Sequence, residues 1–120
     1  MKKVLVIDDK PEIRQMVSTM LSKQYEVVEF EKVDDVLSYC NQQPADILIT
    51  DLLMPEKNGI DLIQGIRELS NDIKILAISG GNRSKTCDFL PVADFVGADA
   101  CLHKPFSPNE LREKVYAILQ

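Results

Sequence analysis

The sequence predicts a doubly wound α/β domain: five parallel strands with helices on both faces. Three observations carry this. Short, continuous apolar runs recur along the chain, stripes at helical spacing stand between them, and the two alternate strictly to the C-terminus. A strand covered on both faces buries every residue, so its run is unbroken instead of alternating. Strict alternation of strand and helix implies parallel pairing with right-handed crossovers.

The elements follow in order. Val4-Leu5-Val6-Ile7 is the first run. Ile13, Met16, Val17, Met20 and Leu21 form the first helical stripe, with Pro11 near its first turn. Tyr25 to Phe30 is mixed in polarity, as suits an edge strand. Val33, Val36, Leu37 and Cys40 make the second stripe, and Ile47-Leu48-Ile49 the third strand. Asn58 is placed to cap a third helix bearing Leu62, Ile63, Ile66 and Leu69. Ile75-Leu76-Ala77-Ile78 is the fourth strand. A loop from Gly80 to Cys87 then leads to a fourth helix starting near Asp88, with Phe89, Val92, Ala93 and Val96 as its stripe. Pro91 is tolerated in its first turn, where backbone N–H groups lack helical partners. Ala100 to Leu102 is a short fifth strand. Ser107-Pro108-Asn109-Glu110 combines a capping box with proline at the first helical position, opening a fifth helix with Leu111, Val115, Ile118 and Leu119. For five strands wound this way, the known flavodoxin-like order 2-1-3-4-5 is expected. It places a ligand crevice at the carboxyl ends of strands one and three.

A chain of 120 residues makes one domain, residues 1–120, with a core that needs no staples. No stretch approaches the roughly 18 apolar residues of a membrane span. The apolar run in MKKVLVIDD is too short for a signal peptide. A net charge of −5 repels nucleic acid and argues against direct binding to it. Cys40, Cys87 and Cys101 are scattered, with no C-x-x-C pair and only a C-x-H at Cys101 and His103. Reduced thiols in a cytoplasmic protein are expected.

Chemistry concentrates after the strands. Asp8 and Asp9 follow the first, Asp51 ends the third, Ser79 ends the fourth, and Lys104-Pro105-Phe106 follows the fifth. All therefore face one rim. Two carboxylates about 4 Å apart repel by about 1 kcal/mol in water and about 4 kcal/mol at an effective dielectric of 20. Either a trapped proton or a bound cation must relieve that. Oxygen ligands without His or Cys favour Mg²⁺ over zinc. The plainer alternative is that Asp8 and Asp9 only cap the first helix and favour its dipole. Asp51 is the candidate nucleophile, since a carboxylate can attack phosphorus. The metal would offset repulsion between two anions, while Lys104 pairs with one phosphoryl oxygen and the Ser79 hydroxyl donates to another. Taken singly, Ser79 reads as a turn residue and Lys104 as a surface lysine.

The set Asp8-Asp9, Asp51-Leu52-Leu53-Met54-Pro55, Ser79-Gly80 and Lys104-Pro105-Phe106 resembles the receiver domain of two-component response regulators, in particular stand-alone regulators of the chemotaxis type. The likeness runs from Lys3 to Leu119, and Gly97-Ala98-Asp99-Ala100 adds to it. The resemblance implies that Asp51 is the phosphoacceptor. It implies Mg²⁺ ligation by Asp8, Asp51 and the Leu53 carbonyl, with Asp9 nearby. It makes Ser79 and Lys104 the switch hydroxyl and the phosphate-pairing lysine. The phosphoryl donor would be a phosphohistidine on a sensor kinase or phosphotransfer protein. The output partner would meet the face of the fourth helix, fifth strand and fifth helix, and the Lys104–Pro105 bond would be cis. Such a domain is a phosphoacceptor that promotes its own phosphotransfer and slow dephosphorylation; it is not a conventional enzyme. A phosphoryl group would offer Ser79 a new acceptor, which makes the 80–87 loop the expected moving part. One departure stands out: Cys101 occupies the place of the family's usual aromatic switch residue.

Other readings are weaker. An unphosphorylated module of the same fold should have lost part of the acid pocket. A phosphohydrolase with an aspartyl intermediate typically carries a second Asp two residues on, where this chain has Leu53. A flavodoxin needs a phosphate loop where Asp8-Asp9-Lys10 stand. No effector domain follows Gln120, so the chain is either a stand-alone regulator or part of a longer one.

Overall fold

The computed structural model describes residues 1–51, 59–70, 72–79 and 98–120. The elements are β1 (Lys3–Ile7), α1 (Pro11–Leu21), β2 (Glu26–Phe30), α2 (Val33–Gln42), β3 (Ile47–Asp51), α3 (Gly59–Leu69), β4 (Lys74–Ser79), β5 (Ala100–His103) and α4 (Pro108–Leu119). All four pairings are parallel, and the strand order is β2-β1-β3-β4-β5, as expected. Here α4 is the helix predicted as the fifth. The expected fourth helix from Asp88, the 80–87 loop and the Asn58 cap fall outside the described residues.

The apolar runs are strands because the sheet is covered on both faces. In β1, Val4 to Ile7 are buried, and all five residues of β3 are buried. By contrast β2, at the edge, is nowhere fully buried, which accounts for its mixed sequence. Alternate residues feed two separate cores. Leu5, Ile7, Leu48, Ile75 and Ala77 pack with Val33 and Val36 of α2 and Leu62, Ile63 and Ile66 of α3. Val4, Val6, Ile47, Ile49, Leu76 and Ile78 pack with Val17 and Leu21 of α1 and Leu111 and Val115 of α4. Each fully buried side chain of this kind contributes about 1.5–3 kcal/mol. A one-residue slip in any central strand would exchange the two sets.

Most of the predicted stripes pack as expected. Leu69 does not: it is 44% exposed. It is the last residue of α3, where the chain turns away toward β4. Within α3, Gly65 lets α2 approach closely, since a Cβ there would lie 3.0 Å from Leu37 Cδ2. The predicted capping box is present in full. Glu110 N donates to Ser107 Oγ at 3.1 Å, and Ser107 N donates to Glu110 Oε1 at 3.0 Å.

A clamp closes the far end of the sheet. Asp99 Oδ2 accepts from Ile75 N at 2.7 Å and from Arg67 Nη2 at 2.9 Å. Arg67 Nη1 also donates to the Ile73 carbonyl, and Asp99 N donates to the Ile75 carbonyl at 2.8 Å. These bonds join the end of α3, the start of β4 and the lead into β5.

The cysteines correct one expectation. Cys40 is a free thiol, but Cys101 is disulfide-bonded. Spacing along the chain registers only near neighbours and does not record the oxidation state of a scattered cysteine.

Candidate functional site

Strand register builds the site. Ile7 pairs with Thr50, so Asp8 emerges level with Asp51 at the end of β3. Asp51 pairs with Ile78, which puts Ser79 one step further along β4. Ser79 pairs with His103, so Lys104 leaves β5 just beyond it. The carboxyl ends of four neighbouring strands thus present Asp8, Asp51, Ser79 and Lys104 on one rim. The Ser79 side chain and all of Leu53 lie outside the described residues.

Lys104 draws the rim together. Its Nζ lies 2.8 Å from Asp51 Oδ2 and 3.2 Å from Asp8 Oδ2. Asp8 is only 1% exposed and Asp51 only 7%. Asp9 is half-buried and completes a group in which one oxygen from each of Asp8, Asp9 and Asp51 lies within 4.8 Å of the others. The Lys104–Pro105 bond is cis, as the family resemblance implied.

Further bonds hold Asp8 in place. Its Oδ1 accepts from Lys10 N at 2.9 Å, and its carbonyl accepts from Arg14 Nη1 at 2.6 Å. The Arg14 guanidinium also reaches Glu29 Oε1, with its Nε 4.0 Å away. The helix-capping alternative accounts for only part of this. The N-cap residue of α1 is Lys10, whose own side chain makes no cap bond, while Asp8 Oδ1 accepts from the Lys10 N–H and its Oδ2 faces Lys104. In β3, Thr50 is fully buried, and its hydroxyl donates to the Asp51 carbonyl at 3.0 Å. Sequence reasoning missed Arg14 and Thr50. Neither belongs to an apolar stripe or a recognisable spacing, and their roles exist only once the strands are paired.

Burial sets the electrostatics. The Asp8 carboxyl titrates above the usual aspartate value, chiefly because burial penalises its charge; Asp51 adds to the rise, while the Lys10 N–H and Lys104 oppose it. For Lys104, burial pulls the ammonium down. The hydrogen bond and charge of Asp51, together with Asp8, outweigh that, and the net shift is upward. Three carboxylates against one ammonium leave two formal negative charges when all are ionised. Oxygen-only donors with that surplus fit a hard divalent cation.

The comparisons with known proteins agree with this architecture. A family model of the response regulator receiver domain matches residues 4–116. The probable transcriptional regulator ycf27 of Guillardia theta is 33% identical over 121 residues, covering 99% of this chain and 46% of that protein. The phosphate regulon transcriptional regulatory protein PhoB of Pseudomonas aeruginosa is 31% identical over 123 residues, covering 99% of this chain and 52% of that protein. Among solved structures, the chemotaxis response regulator CheY4 of Vibrio cholerae superposes with a TM-score of 0.87 at 30% identity, covering 99% of both chains. A parallel sheet in this order with an acidic rim defines a receiver-type signalling domain. The chain belongs to the response regulator receiver domain family and so to two-component signal transduction. It spans about half the length of the curated relatives it matches. Among the described residues, no helix is long and apolar enough to cross a membrane.

Proposed function

We propose that residues 1–120 act as a cytoplasmic receiver that accepts a phosphoryl group on Asp51 in a Mg²⁺-dependent reaction. The observation that carries this is Lys104 Nζ held between Asp51 Oδ2 and Asp8 Oδ2, with Asp9 in the same group. Asp8, Asp9 and Asp51, with the Leu53 carbonyl, are the residues that would hold Mg²⁺. The ion supplies positive charge that offsets repulsion between an anionic nucleophile and an anionic phosphoryl donor.

The chain's own residues do the rest. An Asp51 carboxylate oxygen attacks phosphorus, the bond from phosphorus to a donor histidine nitrogen breaks, and an acyl phosphate results. Lys104, already bonded to the attacking carboxylate, pairs with a phosphoryl oxygen as charge builds there. Arg14 and the Lys10 N–H keep Asp8 from turning away. The Ser79 hydroxyl donates to the new phosphoryl group. The donor is a sensor histidine kinase or histidine phosphotransfer protein. The output is a protein contact involving β5, α4 and the segment before β5, with no direct nucleic acid binding by this domain and no membrane insertion.

The test is incubation with acetyl phosphate and Mg²⁺, followed by peptide mapping. The expected result is one acid-labile phosphate at Asp51, absent when Mg²⁺ is chelated. A phosphate mapped to another residue, or none at all, would falsify the assignment.

A further inference from the structure

Among the described residues only three polar or charged side chains are buried: Asp8, Thr50 and Asp51. Asp8 and Asp51 belong to the acidic rim. Thr50 does not, and the phosphotransfer steps above leave it unused. It stands in the last full row of the sheet before the rim, which runs Phe30, Ile7, Thr50, Ala77 and Cys101 across β2, β1, β3, β4 and β5. Side chains alternate between faces along each strand, so one row shares one face. The other four members of this row pack on the core under α2 and α3. Thr50 brings the row's one hydroxyl, and it has no exposed surface. Valine has the same branched shape, suits a strand as well and carries no polar atom to desolvate. Packing alone therefore gives no reason for threonine at this position.

The hydroxyl's partner does give one. Thr50 Oγ1 donates to the Asp51 carbonyl oxygen at 3.0 Å. That carbonyl belongs to the last residue of β3, where the strand ends. The bond closes a small ring through Thr50 Cβ and Cα, the planar peptide between the two residues and Asp51 Cα. Pairing holds Thr50 between Ile7 and Ala77, so the ring restricts rotation of Asp51 about its own Cα–C bond. The carboxylate that Lys104 Nζ meets at 2.8 Å hangs from the same Cα.

We propose that Thr50 is a positioning residue for the phosphoacceptor: its buried hydroxyl clamps the Asp51 backbone and so aims the Asp51 carboxylate at phosphorus. This rests on the receiver function proposed above. Thr50 acts through Asp51 alone and touches no reacting atom. A small misplacement of a reacting group slows a reaction far more than it weakens a fold. The hydroxyl's contribution therefore belongs to rate, and the contribution of the Thr50 methyl to stability.

The experiment compares Thr50→Val and Thr50→Ser with wild type. Valine keeps the volume and removes the donor; serine keeps the donor and removes a buried methyl. Each protein is melted by circular dichroism. Its phosphorylation by acetyl phosphate at saturating Mg²⁺ is followed by intact mass, per folded molecule, and mapped. Thr50→Val should be phosphorylated on the order of tenfold more slowly than wild type, and Thr50→Ser within about twofold of it. A Thr50→Val that matches wild type overturns the proposal, as do rates that follow the melting midpoints in both variants. A Thr50→Ser as slow as Thr50→Val overturns it too, and a slow Thr50→Ser does so by itself if Thr50→Val fails to fold. Wild type that carries no phosphate at Asp51 removes the receiver reading first, and the clamp's role with it.

Discussion

Lys104 Nζ sits 2.8 Å from Asp51 Oδ2, so the amine at the end of β5 already grips the carboxylate at the end of β3. The same amine reaches Asp8 at 3.2 Å. One cation thus screens two buried anions, and the site's behaviour follows from what happens when any of the three is changed.

Replacing the acceptor tests the chemistry. Asp51→Asn keeps the size and one oxygen while removing the nucleophile. Phosphorylation by acetyl phosphate should be lost, and the thermal midpoint should stay within a few degrees of wild type, because Asp51 stands at the rim outside both cores. Mass spectrometry and a circular dichroism melt check the two halves.

Removing the cation should be costly. Lys104→Met leaves Asp8 and Asp51 facing each other without a counter-charge. The Lys104 side chain is 16% exposed, so solvent recovers only part of the loss, and destabilisation of about 1–3 kcal/mol is expected in chelator. Mg²⁺ should restore part of it, since a cation bound to the native state alone stabilises by mass action. Urea titrations with and without Mg²⁺ measure both. A variant as stable as wild type in chelator would show that the ion pair contributes nothing.

The pH dependence should carry the signature of Asp8. Its carboxyl in the folded protein titrates above the ordinary aspartate range, chiefly because it is buried. Such a group contributes stability that is fully present below the ordinary aspartate pKa and is lost as pH rises through the raised folded value. In metal-free buffer, Asp8→Asn should therefore be more stable than wild type at pH 7, by on the order of 1 kcal/mol, as the burial penalty on the Asp8 charge, and with it the repulsion from Asp51, is removed. The gap should close as the pH falls toward the ordinary aspartate pKa. Melts across that range settle the sign.

A control separates fold from site. Ser107→Ala removes the side-chain half of the α4 capping box and should cost about 1 kcal/mol. Mg²⁺-dependent phosphorylation of the folded fraction should not change. A loss of phosphorylation greater than the loss of folded protein would tie α4 to the site in a way these contacts do not show.

How much of this could be read beforehand depends on the range of the interaction. Val4 to Ile7 and Ile47 to Ile49 announce buried strands because each residue reports its own environment. Ser107 and Glu110 announce a cap because three residues of spacing suffice. The acidic rim was legible for a related reason: each member follows a strand, and parallel strands share one carboxyl end. The Arg67–Asp99 clamp and the Arg14 bond to the Asp8 carbonyl were not legible. The first spans 32 residues, and the second involves a backbone atom that every residue possesses. Leu69 shows the opposite failure, since periodicity assigns a direction around the helix but not how far the covering sheet extends along it. Cys101 was misjudged because sequence spacing alone does not record a scattered cysteine's oxidation state.

The bonds from Lys104 to Asp8 and Asp51 span 96 and 53 residues. Closing such long loops carries an entropic cost before the contact returns anything, so these contacts belong late in assembly. Asp8 follows the first strand and Lys104 the last, so a chain lacking β5 has no complete pocket to offer. The acidic pocket is therefore a readout of the whole sheet: it is complete only in molecules whose strands have paired from β1 through to β5.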